Sequence, residues 1–202
     1  MAKRKSINGS KKILKNLNKI MKELDQKYSI KVGIIGDKAY EKHPHSDLTM
    51  AELGAIHEFG ATINVTDKMR AYLHSQGLHL RDDTTQIVIP ARSFLRDTFF
   101  NSQAKERLYR AGGISGDYEF DIEYFKYKFL TNPDFMKDVC NAIGAKALEM
   151  VQESFYVGGY PTQWAKITPF TQEHRTGDKG APPLQDTGDL LDSISVEVKR
   201  VK

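Results

Sequence analysis

Two short segments constrain the fold of this chain most, because one should end a helix and the other should end a strand. The first is residues 52–60 (ELGAIHEFG), in which Gly60 suits the left-handed stop of a helix. The second is residues 89–96 (IPARSFLR), in which Pro90 cannot donate to a sheet ladder and so ends the preceding strand. We expect the end of this helix and the end of this strand to pack against each other.

Glu58 is the polar residue at this expected junction. Its carboxylate could pair with Arg92 or Arg96, or it could accept hydrogen bonds from the backbone of the following turn. We favour a structural interpretation, in which apolar side chains anchor the core and their neighbours make turns. The expected anchors are Phe59, Phe94 and Leu95, and the expected turn residues are Gly60 and Pro90.

A third segment, residues 164–195 (WAKITPFTQEHRTGDKGAPPLQDTGDLLDSIS), carries large side chains on an irregular stretch of chain. Trp164, Phe170, Arg175 and Leu184 are of the kinds that anchor protein interfaces, so we predict a partner interface here. The alternative is a loop packed on its own domain. Thr187 and Gly188 are then expected to form a capped turn that returns the chain to the body of the domain.

The three segments, in this order, resemble the tail-completion (virion morphogenesis) family of tailed bacteriophages, of the type found in Mu-like phages. In that family a helix ending in E-(F/Y)-G precedes I-P-A-R-x-F-(L/I), and P-L-x-x-T-G-x-L-x-x-S-I follows a Trp and a Thr-rich turn. The resemblance covers roughly residues 30–198. It implies a structural, non-enzymatic component of the virion neck or tail end.

By the same resemblance, the chain is expected to be a subunit of a homo-oligomeric ring, a hexamer, that contacts adjoining tail or neck proteins. It would be found in the host cytoplasm during assembly and then in the virion. No cofactor and no metal are implied. Head-completion and sheath-terminator roles stay open, because the family pattern does not account for residues 104–132 or for the N-terminal arm.

The N-terminal arm concentrates the positive charge of the chain. Eight basic residues precede the first acidic one, Glu23, which leaves 22 of the 30 basic residues against 26 acidic ones, a balance of −4. Such an arm can bind nucleic acid, dock on an acidic neighbour, or be solvated. The arm residues that we predict to contact a partner are Lys3, Arg4, Lys5, Lys11 and Lys12. The alternative function is a nucleic-acid-binding module that uses Lys3 to Lys22 with the aromatic residues of 118–129.

The histidines give a weaker signal for metal chemistry. His43 and His45 have no third ligand at a recognisable spacing, and Ala61 stands where a zincin helix after His57-Glu58 would carry its second histidine. A metal-dependent hydrolase built on His43, His45, His57 and Glu58 is the remaining enzyme hypothesis.

Composition narrows the classes of protein to which the chain can belong. No apolar run approaches the roughly 18 residues that cross a bilayer, and the first residues lack the apolar core of a secretion signal, so we expect no membrane contact. Cys140 is the single cysteine, which excludes an internal disulfide, and it lies in an apolar helical pattern that should raise its pKa.

Periodicity predicts an α+β fold: a small, mainly antiparallel sheet packed by two long helices, with long loops. Residues 1–27 form the basic arm and a helix, and residues 28–202 form a single domain with a possible insertion at 104–132 and an extended loop at 157–187. The predicted long helices are 11–27 and 133–155. The predicted shorter helices are 50–60, 67–75, 190–194 and one that starts at Ser93 or Asp97 and runs towards Arg110. The predicted strands are 30–36, 62–66, 86–89, 117–129 and 195–199. For 117–129 a helix is the alternative, because Tyr118, Ile122, Phe125 and Phe129 also fit one helical face.

Overall fold

The computed structural model describes residues 27–44, 46–113 and 134–201, together with Lys15, Asn18, Lys22, Tyr127, Lys128, Thr131 and Asn132. Its strands are β1 (Lys27–Ile34), β2 (Ala61–Asn64), β3 (Gln86–Ile89) and β4 (Ile194–Val201). Its helices are α1 (Met50–Phe59), α2 (Asp67–Ser75), α3 (Arg96–Phe99), α4 (Ser102–Ala111), α5 (Phe135–Val157), α6 (Pro169–Glu173) and α7 (Asp189–Asp192). A short 3-10 helix covers Gly36–Tyr40.

The predicted α+β class is confirmed, with the strands divided between two two-stranded sheets, β1–β4 and β2–β3. The chain forms two compact units, and the residues of the predicted domain 28–202 fall in both. Unit one comprises 1–32, 102–147 and 196–202, and unit two comprises 33–101 and 148–195. Helix α5 therefore contributes its first part to unit one and its last part to unit two.

Unit one packs the first part of α5 closely on the β1–β4 sheet. A Cβ added at Gly144 would lie 2.9 Å from Val196 Cγ2 and 3.4 Å from Ile30 Cγ2, so the missing side chain allows this approach. A Cβ added at Gly112, just after α4, would likewise lie 2.9 Å from Ile143 Cδ1 of α5.

Unit two is built around the last part of α5. Met150, Val151 and Phe155 are buried there. The Phe155 ring packs edge-on against both Phe94 and Trp164, with centroids 5.2 and 5.5 Å away. Such aromatic pairs add stabilisation beyond the apolar area that they bury.

Strands β2 and β3 form an antiparallel hairpin within unit two. Its register pairs Ala61 with Ile89 at the base and Asn64 with Gln86 at the far end. Helix α2 lies in the connection, and the Arg70 guanidinium donates to the carbonyl oxygens of Arg81 (2.9 Å) and Thr84 (2.7 Å). These bonds hold the long connection together. We call residues 61–89 the hairpin arm.

Local sequence signals predicted several elements well. Thr49 and Glu52, a threonine with a glutamate three residues later, form a capping box at the start of α1, which was predicted as a helix over 50–60. The bounds of α2 and β3 are as predicted, and the helix predicted over 133–155 is α5. The prediction of one continuous helix from Ser93 or Asp97 towards Arg110 is wrong, because the helix breaks after α3 and resumes at α4.

Two predicted elements fall largely outside the described residues. For the helix over 11–27, the described positions Lys15, Asn18 and Lys22 are helical. For the strand over 117–129, the described positions Tyr127 and Lys128 are helical, so the strand prediction is wrong there. The physical reason is an i to i−4 bond from Asn132 N–H to the Lys128 carbonyl, at 2.7 Å.

Candidate functional site

A buried carboxylate at the end of α1 joins the first two of the three segments singled out in the sequence, residues 52–60 and 89–96. Glu58 is only 5% exposed, and its two oxygens accept four hydrogen bonds. The donors are the Ser93 hydroxyl (2.6 Å) and the backbone N–H groups of Phe94 (2.9 Å), Leu95 (3.0 Å) and Arg96 (2.9 Å). We call Glu58 with residues 93–96 the carboxylate lock.

Gly60 lets the chain leave α1 close to the second segment. Its φ of +75° and ψ of 170° lie in a region that is essentially open to glycine alone. A Cβ at this position would lie 2.9 Å from both the Ala91 nitrogen and the Ile89 oxygen. The predicted left-handed stop is therefore wrong in detail: φ is positive, but ψ is extended, because the chain goes straight into β2.

The hydrogen bonds of the lock decide which of the predicted partners Glu58 has, an arginine or the backbone. Backbone N–H groups are its partners, and among the described residues neither the Arg92 nor the Arg96 guanidinium forms an ion pair with it. Phe94 is buried, as predicted, but Phe59 is 66% exposed, so its prediction as a core anchor is wrong. Adjacent helical residues point about 100° apart, and turning Glu58 inward turns Phe59 outward.

Sequence reasoning missed the part played by Ser93. Its hydroxyl donates to Glu58 and also accepts the Asp97 N–H at 3.0 Å, which links the lock to the first turn of α3. A serine just before a short polar helix is a recognisable helix-start signal, but nothing local indicates the carboxylate that it meets.

The third segment is joined to the lock within unit two. Trp164 is buried, and its indole Nε1–H donates to the Ser93 carbonyl at 3.2 Å. Arg92 Nε donates to the Ala165 carbonyl at 3.0 Å, and the Arg92 N–H donates to the His57 carbonyl at 2.7 Å. The indole is thus covered by its own unit, which favours the alternative that this loop packs on its own domain.

Beside the lock lies a cleft of about 400 Å³, which we call the arginine cleft. That volume is within the range of small-ligand sites, about 300–1,000 Å³. Three residues predicted at a partner interface, Phe170, Arg175 and Leu184, line it together with Arg92. The lining also includes His43, Leu53, His57, His174, Asp186 and Asp189.

Two nearly buried arginines of the cleft have no ionic partner among the described residues. Arg92 is 7% exposed and Arg175 is 8% exposed. Within that part of the chain, Arg175 donates to the backbone carbonyls of Asp178, Ala181 and Pro182. Burial, and then the charge of Arg175, lower the pKa of Arg92, so the two guanidinium groups are close enough to repel each other.

His57 adds a neutral imidazole to the same wall. Burial, and then the nearby charge of Arg92, lower its pKa from 6.5 to about 4. Its Nδ1 is sealed from solvent and has no hydrogen-bond partner among the described residues. At neutral pH, His57 therefore contributes no charge to the cleft.

The two carboxylates that line the cleft are engaged by their own loops. Asp186 accepts the Gly177 N–H at 2.8 Å, and Asp189 accepts the Thr187 hydroxyl and lies 3.7 Å from His43 Nε2. Gly188, with φ of +89° and ψ of −12°, supplies the left-handed turn before α7. A turn is present at Thr187 and Gly188, but no side-chain hydrogen bond from the described part of the chain caps the start of α7.

Other candidate groups are separate from the cleft or outside the described residues. The arm residues Lys3, Arg4, Lys5, Lys11 and Lys12 and the loop residue His45 lie outside them. Within the described ranges, no group of three or more His, Cys, Asp or Glu side chains could hold a metal ion. Burial raises the pKa of the Cys140 thiol, as predicted from its helical position.

Among the described helices, none has the length and apolarity needed to cross a membrane. Comparison with known proteins found no match to a family model, to a curated protein or to a solved structure.

Proposed function

We propose that this chain is a non-enzymatic structural protein of a tailed-phage virion, a ring subunit that completes the tail end or the head–tail junction. The observation that carries the proposal is the convergence of the three segments on one lock. Glu58 binds the second segment, and Trp164 of the third segment donates to Ser93 of the second. Residues that define the resemblance therefore serve one structural purpose in this chain.

The use of Glu58 supports a structural role rather than an acid–base one. All four of its hydrogen bonds come from a serine hydroxyl and backbone N–H groups, which leaves the carboxylate committed to holding chain segments. A general base must instead reach a proton of the substrate. The metal-dependent hydrolase hypothesis needs the same carboxylate. Stoichiometric zinc in the purified protein, lost in a His43→Ala/His45→Ala variant, is the result that would support it.

The hairpin arm offers a surface for ring contacts. Its large side chains Tyr72 and Val88 are 62% and 68% exposed. Apolar side chains left in water at such a position are available to a neighbouring subunit. A heterologous contact, in which this arm meets a different surface of the next copy, closes into a ring when the rotation between copies allows it.

Electron microscopy of a lysate of the source phage or prophage, with this gene deleted, tests the proposal. We expect full heads beside unjoined or overlong tails, and restoration of joined particles by the wild-type gene supplied in trans. Normal, infectious particles from the deletion would refute the proposal.

Two variants, supplied in trans to the deletion, test whether the hairpin arm makes the ring contact. Tyr72→Ser with Val88→Ser should give folded protein that fails to restore joined particles. Tyr40→Ser is the matched control, since Tyr40 is another exposed tyrosine of unit two and lies outside the hairpin arm. Equal complementation by both variants would remove the hairpin arm from the ring contact.

The basic arm motivates the alternative function, nucleic-acid binding. Eight basic residues before the first acidic one give a concentrated positive segment. Binding that uses this segment should weaken steeply as salt is raised and should vanish when the arm is deleted. Binding that survives the deletion would assign the contact elsewhere on the chain.

A further inference from the structure

We propose that the arginine cleft binds a carboxylate of a partner polypeptide, an acidic side chain flanked by apolar residues. This inference deepens the proposed function by naming the chemistry of a partner contact. Only the assignment of the carboxylate to a neighbouring virion subunit rests on that function. The selectivity for a carboxylate rests on the cleft itself.

The first argument is the state of Arg92. Its Nε is used by the Ala165 carbonyl, whereas its two Nη atoms have no acceptor among the described residues. Those Nη atoms are not sealed from solvent, because the described atoms that are both sealed and unpartnered are His57 Nδ1 and Gln185 Nε2. An almost buried guanidinium whose terminal donors are not sealed, in a residue that lines a cleft, is a ready site for an anion.

The second argument is the charge around Arg92. Arg175 lines the same cleft, and no carboxylate of the described residues forms an ion pair with either arginine. Burying charges of one sign is unfavourable unless an opposite charge compensates them. An incoming carboxylate would supply that compensation, and the neutral His57 does not.

The remaining lining argues for a polypeptide rather than a nucleic acid. Leu53, Phe170 and Leu184 give the cleft apolar walls, which suit the side chains next to a carboxylate. Asp186 and Asp189 also line the cleft, and their repulsion grows with the charge of the ligand, so it opposes a polyanionic backbone more than a single carboxylate. A volume of about 400 Å³ admits a short segment of peptide and not a duplex.

Titration of the wild-type protein with two blocked peptides tests the proposal without any variant. One pentapeptide carries a central glutamate between two leucines, and its twin carries glutamine instead. Because hydrogen bonds to a charged group are stronger, we expect the glutamate peptide to bind at least about tenfold more tightly than its twin. Calorimetry, or NMR shifts of cleft residues, measures both affinities. Equal affinities, or no saturable binding of either peptide, would overturn the proposal.

Variants and other anions complete the test. Arg92→Gln should remove the preference for glutamate, and Arg70→Gln should retain it, because Arg70 binds backbone carbonyls of the hairpin arm outside the cleft. If Arg92→Gln does not fold, the two peptides on wild-type protein decide alone. Tighter binding of inorganic phosphate or of duplex DNA than of the glutamate peptide, at the same residues, would also overturn the assignment.

The two proposals can fail separately. If the deletion abolishes head–tail joining but the peptides show no preference, the assembly role stands and the cleft proposal falls. If the peptides show the preference but deletion particles are normal, the cleft still binds carboxylates and the virion role falls.

Discussion

Glutamine at position 58 tests the carboxylate lock at nearly constant side-chain shape. The carboxylate has two acceptor oxygens, and the amide replaces one of them by a donor. With the amide nitrogen at the Oε2 position, the N–H groups of Phe94 and Leu95 both lose their acceptor. With the amide nitrogen at the Oε1 position, only the Arg96 N–H loses its acceptor, because the Ser93 hydroxyl can turn and accept from the amide.

The second arrangement is the less unfavourable, and its free energy can be estimated. Leaving one buried N–H unsatisfied costs about 1–3 kcal/mol. The bonds from Phe94 and Leu95 lose an ionic acceptor, a difference of about 1 kcal/mol each. Burying a neutral amide is easier than burying a carboxylate, which offsets part of this loss. We expect Glu58→Gln to lower the free energy of unfolding by about 3 kcal/mol.

Urea unfolding followed by tryptophan fluorescence measures this change. Trp164 is the single tryptophan of the chain, and it is buried against Ser93, so its emission reports on unit two. With a urea slope of about 1–3 kcal/mol per molar, the midpoint should fall by about 1–3 M.

Glu52→Gln is the matched control for this experiment. Glu52 belongs to the same helix, is exposed, and reaches back to the Thr49 N–H in the capping box, where glutamine also functions. A Glu58→Gln midpoint no lower than that of Glu52→Gln would refute the reasoning that the lock holds the two segments together.

Two further predictions concern the same region. Gly60→Ala should lower the free energy of unfolding by about 2–4 kcal/mol, since strain at this φ and ψ combines with contacts of 2.9 Å. Gly36→Ala, also at positive φ but with no atom within 4 Å of the added Cβ, should lose clearly less in the same urea assay; equal losses would contradict the close approach. The pKa of His57 is about 4 in the folded protein, against an ordinary value of 6.5. Between these two pH values the unfolded chain therefore binds a proton at His57 and the folded chain does not. Stability should therefore be unaffected by His57 above pH 6.5 and should fall by up to about 3 kcal/mol as pH drops to about 4, a fall that His57→Gln should reduce; parallel pH profiles would refute it.

Several features could be predicted from the sequence because their causes are local. The capping box depends on Thr49 and Glu52, three residues apart, and the end of β3 depends on Pro90. The position of α5, predicted as a helix over 133–155, follows from helical periodicity. Each of these signals lies within a few residues of the structure that it specifies, so it can be read before any tertiary contact is known.

The partners of Glu58 and the arginine cleft could not be predicted in this way. Glu58 lies 35 to 38 residues from its donors, and its inward direction is what leaves Phe59 exposed. Likewise, nothing local to Arg92 or Arg175 indicates that both residues line one cleft.

The sequence by itself therefore determined the α+β class, most of the helix and strand positions, and the turn residues at which segments stop. Only the tertiary structure decided which donors meet Glu58, that Trp164 is covered by its own unit, and that two buried arginines share a cleft. The physical reason is range: propensity, capping and periodicity act over a few residues, whereas the partners of a buried charge are chosen by how distant segments pack.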